Sequence, residues 1–139
     1  MLMPRVVDAN ILLRFLTNDE PAQAAACEAL LLRVESGQEK VFLPDIVIAD
    51  IVLTLEKFYQ VEKKRINELL TPVLVAEGLI CNDKGQILTA LSIYANKNID
   101  WTDAFVAAQM IENGQREIYS YDQDFDRLPE TMRLEPKEI

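Results

Sequence analysis

The segment Arg5-Val6-Val7-Asp8-Ala9-Asn10-Ile11-Leu12-Leu13-Arg14 sets the first constraint on the fold. Two β-branched residues run into an acid and an amide, and an apolar stretch of helical length begins at once. The pattern predicts a strand, a tight corner and a helix, with Asp8 at the carboxyl end of a buried strand. In open α/β sheets that edge gathers ligands and reacting groups. Asp8 therefore has two readings: a helix N-cap, or a functional carboxylate whose burial demands a hydrogen bond, an ion partner or a metal. The corner by itself does not separate them.

The alternation of strand and helix continues along the chain. Ile11 to Thr17 extends the first helix, and a second is expected from Pro21 to Ser36, closed by Gly37. Lys40 to Leu43 reads as a strand ended by Pro44, with Asp45 placed to cap the next element. Residues 46–59 are rich enough in β-branched residues to look like a strand locally, but their length favours a helix. On that helix Asp50 and Thr54, four apart, make a polar stripe among Val47, Ile48, Ala49, Ile51, Val52 and Leu53. An acid so placed is expected to meet a cation. Lys63-Lys64-Arg65 opens a helix, read as a solvated face, and Pro72 is expected to start a new short segment. Leu79 to Cys81 reads as a strand, followed by a helix capped by Asp83.

The last third repeats the opening corner. Asp100 or Thr102 caps a strongly apolar helix that stops at Gly114, leaving Asp103 in its first turn, where free N–H groups favour an anion. Glu117 to Ser120 is a strand, and Asp122 follows it as Asp8 follows the first. Met132 to Leu134 completes a sheet of about five strands alternating with helices, the pattern of a parallel α/β sandwich.

At 139 residues the chain has the length of one domain, expected to span 1–139 without a linker. The start, Met-Leu-Met-Pro-Arg, has no apolar signal region, and no run reaches membrane-spanning length, so the expectation is a cytoplasmic protein with no membrane role. Cys27 and Cys81 show no metal-ligand spacing. There is no histidine at all, which removes every Ser-His or Cys-His arrangement and leaves carboxylates to run any hydrolysis. A formal net charge of −9 argues against tight non-specific binding of nucleic acid by the bare domain.

Right-handed crossovers place the carboxyl ends of parallel strands and the N-termini of the following helices on one edge. Asp8, Asp50, Asp103 and Asp122 are expected to converge there. Carboxylates a few ångströms apart raise one another's pKa. A hard divalent cation relieves this, and a donor set without His or Cys points to Mg²⁺ or Mn²⁺. The corresponding chemistry is phosphodiester hydrolysis by a metal-activated water.

Four motifs, in order, carry a resemblance: Val7-Asp8-Ala9-Asn10-Ile11-Leu12-Leu13-Arg14-Phe15-Leu16-Thr17; Leu43-Pro44-Asp45 with Asp50; Asp103-Ala104-Phe105-Val106-Ala107; and Ser120-Tyr121-Asp122. Together they resemble the motifs of PIN domains, those of VapC-type toxins of bacterial toxin–antitoxin pairs in particular. The resemblance implies a PIN-like three-layer α/β/α sandwich with strand order 3-2-1-4-5. It implies a Mg²⁺- or Mn²⁺-dependent endoribonuclease acting on RNA, a homodimer, and neutralisation by a cognate antitoxin. By motif, Asp8, Asp103 and Asp122 are the metal-site acids, Asn10 and Ser120 orient them and their waters, and Arg14 is a supporting polar residue. Asp50 stands where most members carry Glu, so its carboxylate is one methylene short. Ala9 replaces a common Ser or Thr, removing a hydroxyl but no ligand. Asp124 is an auxiliary acid or, more simply, a turn cap. The competing reading is a catalytically quiet PIN-like module that binds RNA or protein.

Overall fold

A computed structural model of the chain describes residues 3–137. Met1 and Leu2, the start of the segment read above as lacking a signal region, lie outside the described residues. The chain forms two compact units, Met1–Lys84 and Gly85–Ile139.

The first unit runs β1 (Arg5–Val6), α1 (Ala9–Thr17), α2 (Pro21–Glu35), β2 (Val41–Phe42), α3 (Asp45–Lys57), α4 (Lys63–Leu74) and β3 (Leu79–Ile80). Its strands pair in parallel in the order β1-β2-β3, with Arg5 opposite Val41 and Val41 opposite Leu79. Parallel neighbours require crossovers, supplied here by α1 and α2 and then by α3 and α4. Residues 45–57 are helical despite their β-branched content. Ile48, Ile51, Val52 and Leu55 recur at helical spacing and are all nearly inaccessible, so burial of one stripe overrides local propensity.

Three local expectations are corrected. The N-cap position of α3 is Pro44, and Asp45 is the first helical residue rather than the cap. The fourth helix runs through Pro72 to Leu74 without a new start. Pro72 lies in the final turn, so the ring interrupts the ladder only where the helix is already ending. The opening strand is not buried: Arg5 and Val6 are exposed, and burial begins at Val7.

The second unit holds α5 (Lys84–Asn96), α6 (Trp101–Asn113), β4 (Glu117–Tyr119), a 3₁₀ turn (Gln123–Arg127) and β5 (Met132–Leu134). β4 and β5 are parallel, with Ile118 opposite Arg133. Ile87, Ala90, Leu91, Tyr94, Ile99 and Ala104 are fully buried, and Tyr94 meets Trp101 edge-on with ring centroids 5.8 Å apart. Gly114 ends α6 in the left-handed region at φ 71°, as the sequence suggests.

The α/β class expected from the sequence holds, with parallel strands separated by helices. Within each unit the strand neighbours agree with those in the order 3-2-1-4-5. Among the described residues no helix is long and apolar enough to cross a membrane.

Candidate metal centre

Helix α6 begins after Asp100, whose backbone is extended, and this puts Asp103 in the first turn. On the other side of the site, the chain leaves β4 through a tight turn. The Ser120 hydroxyl oxygen accepts from the Asp122 N–H at 2.9 Å. A carboxylate oxygen of Asp122 then accepts from the Asp124 N–H, also at 2.9 Å, and caps the 3₁₀ turn. These two bonds fix the acid-bearing loop by its own backbone.

The result is a cluster in which Asp103, Asp122 and Asp124 each offer a carboxylate oxygen, all within 4.8 Å of one another. Asp103 and Asp124 are half-buried and Asp122 is exposed. Burial pushes the Asp103 carboxyl up to about 6, helped by its hydrogen bond with Asp122 and by the charges of Asp122, Asp100 and Asp124. Asp122 moves the opposite way, held low by the Asp124 N–H, by the Asp103 hydrogen bond, and by Arg127 and Arg133. The two carboxyls thus share one proton in mild acid, with Asp103 holding it and Asp122 accepting.

Two arginines flank the cluster. Arg127 sits 3.2 Å from Asp124. Arg133 donates to the Ser120 carbonyl at 3.2 Å and pairs with Asp126 and Glu135 at 3.1 and 2.7 Å. Sequence reasoning passed over both. The Asp124 to Arg127 spacing of three was the one visible sign, because it aligns the pair on a helical turn.

The donor set fits a divalent cation. Three carboxylate oxygens meet, with no thiol or imidazole, and their mutual repulsion, relieved in mild acid by the proton on Asp103, is relieved at higher pH by a cation. Such hard donors suit Mg²⁺ or Mn²⁺. Asp124, for which a turn cap was the simpler expectation, is a member of the cluster, and Asp122 is the cap.

The remaining candidates belong to the first unit. Asp8 is exposed and is the N-cap of α1, its carboxylate accepting from the Ala9 N–H at 2.6 Å. The expectation that it is a buried acid is therefore corrected. Asn10 is exposed on the same first turn. Arg14 is turned to Gln23 and Asp19, at 2.9 and 3.3 Å. Asp50 is exposed and accepts from the Thr54 hydroxyl at 3.3 Å. It lies at the helix edge, so its carboxylate reaches water and needs no buried cation.

The pattern of the PIN domain matches residues 5–131. Over 124 residues the chain is 26% identical to a VapC ribonuclease of Aquifex aeolicus (strain VF5), an alignment covering 89% of this chain and 91% of that protein. A match that runs from the opening strand to the loop beyond the acid cluster, over a fold of parallel strands and helices, places this chain in the PIN domain family.

Proposed function

We propose that the protein is a divalent-metal-dependent endoribonuclease, the toxin component of a type II toxin–antitoxin pair. The convergence of Asp103, Asp122 and Asp124 carries this reading, together with the likeness to a VapC ribonuclease. The family pattern spans both compact units, which supports reading the chain as a single domain.

Asp103, Asp122 and Asp124 would hold Mg²⁺ or Mn²⁺. When bound, the ion supplies Lewis acidity toward a phosphate oxygen and lowers the pKa of a water nucleophile. The chain's own residues set the conditions for this. Asp103 must give up its proton before it can serve as a ligand, so the site is best loaded above the value of about 6 at which it titrates. The Asp124 N–H keeps Asp122 ionised and pointed, and Ser120 fixes the backbone that carries it. By motif, Asp8 and, one methylene short, Asp50 are assigned as further metal-site acids, Asn10 as an orienting amide, and Arg14 as a supporting polar residue. The same resemblance supports RNA as substrate, a cognate antitoxin, a homodimer and action in the cytoplasm. A metal-neutralised cluster reconciles an RNA substrate with a net charge of −9.

The test is cleavage of a mixed RNA pool by purified, antitoxin-free protein with Mn²⁺ or Mg²⁺, with EDTA, Asp8→Asn and Asp122→Asn as controls. Cleavage that needs the metal and disappears in both variants is the expected result. A folded protein that cuts nothing and shows no Mn²⁺-dependent rise in melting temperature would instead be the quiet binding module.

A further inference from the structure

We propose that Arg127 is the positioning residue that holds the acid cluster in its cation-binding arrangement, an inference that rests on the metal-site reading above. Its guanidinium is engaged from two directions. One nitrogen, Nη2, lies 3.2 Å from Asp124 Oδ1. The other, Nη1, donates to the carbonyls of Asn98 and Lys97, at 2.8 and 3.3 Å.

Those carbonyls have a particular place in the fold. Lys97 and Asn98 form the turn after α5, where Asn98 takes a left-handed φ of 53°. Asp100, two residues on, starts the helix whose first turn carries Asp103. Asp124 sits on the 3₁₀ turn capped by Asp122. One planar group therefore ties the segment that presents Asp122 and Asp124 to the segment that presents Asp103. Such a tie is needed because three carboxylates held within 4.8 Å push the two segments apart until a cation arrives.

Arginine suits this role and lysine does not. The guanidinium presents donors at fixed angles, so it can face a carboxylate and two carbonyls at once, whereas an ammonium is a single point charge. The Arg127 side chain is 49% exposed, so its removal should affect the local arrangement more than the stability of the fold.

Position and charge predict opposite signs. If Arg127 acted only through its charge, replacing it with Ala would remove a cation beside a cation site and tighten metal binding. If it positions the acids, Ala must weaken binding, and Lys, which keeps the charge, must fail to restore it. The experiment is calorimetric titration of the full chain with Mn²⁺ at neutral pH. It compares wild type, Arg127→Ala, Arg127→Lys and Asp122→Asn, with thermal melts in EDTA to confirm folding. The expected result is about tenfold weaker Mn²⁺ binding in both Arg127 variants, the usual scale for groups that orient metal ligands. Wild-type or tighter binding by Arg127→Ala, or full rescue by Arg127→Lys, overturns the proposal and leaves the metal site standing. If Arg127→Ala does not fold, Arg127→Lys decides alone. A wild type that binds no Mn²⁺, or binds it no better than Asp122→Asn does, overturns the metal-site reading and this inference together.

Discussion

Replacing Asp103 with Asn should stabilise the metal-free protein at neutral pH, although it removes a proposed ligand. The Asp103 carboxyl titrates at about 6 instead of its ordinary 3.8. The native state therefore keeps a proton that the unfolded chain has already released, and stability falls as pH rises from about 4 to about 6. At ~1.4 kcal/mol per pH unit the full difference is about 3 kcal/mol, and solvent screening at this half-buried site reduces it to about 1–2 kcal/mol. An Asn amide copies the protonated carboxyl, because its NH₂ can donate to Asp122 as the acid proton does. In EDTA at pH 8, Asp103→Asn should thus melt several degrees higher than wild type, and the two should converge near pH 4. Added Mn²⁺ should reverse the order, raising the melting temperature of wild type alone. Thermal melts at pH 4, 5, 6 and 8, with EDTA and with Mn²⁺, measure all of this. A variant less stable than wild type at pH 8 in EDTA, or a gap that does not close in acid, would refute the reasoning.

Other perturbations test separate parts of the structure. Gly78→Ala would drive a Cβ into the Glu39 carbonyl oxygen and place it 2.7 Å from that of Val34. Both are backbone atoms that cannot swing aside, so a loss of about 3 kcal/mol is expected in denaturant unfolding, and an unchanged midpoint would contradict it. Asp50→Glu, at an exposed position, should change stability by less than about 0.5 kcal/mol and keep or raise RNA cleavage. A large loss of cleavage with the fold intact would show that the shorter acid is required. Tyr59→Phe removes the hydroxyl that donates to Asp19 at 2.6 Å, the main cause of that carboxyl's lowered pKa. An NMR titration should then find Asp19 moved back toward the ordinary carboxylate range, and an unmoved value would point to the Thr17 hydrogen bond and the Arg14 charge instead.

The fold was legible wherever burial and local pattern agree. The corner at Arg5 to Arg14 and the start of α6 at Trp101 both follow from turn chemistry joined to an apolar helical stripe. Residues 45–57 needed length to outweigh β-branched composition, because the buried stripe that decides the matter is a tertiary fact. Asp103 and Asp122 could be located because each follows directly from its position, one in a first helical turn and one after a strand. The side-chain directions of Asp8 and Asp50 were not legible. Each is bordered by apolar residues in sequence, yet each sits at a helix edge that faces water. Arg127 showed only its spacing of three from Asp124: its other partners are main-chain carbonyls 29 and 30 residues away, which no residue pattern encodes.

The central claim is that Asp103, Asp122 and Asp124 hold a divalent cation. Its most direct test is a crystal of the full chain soaked in Mn²⁺, with anomalous scattering used to locate the ion. The account predicts a peak bonded to carboxylate oxygens of these residues, lost when Asp122 is replaced by Asn. A fully occupied peak elsewhere, with the three acids unliganded, would contradict it.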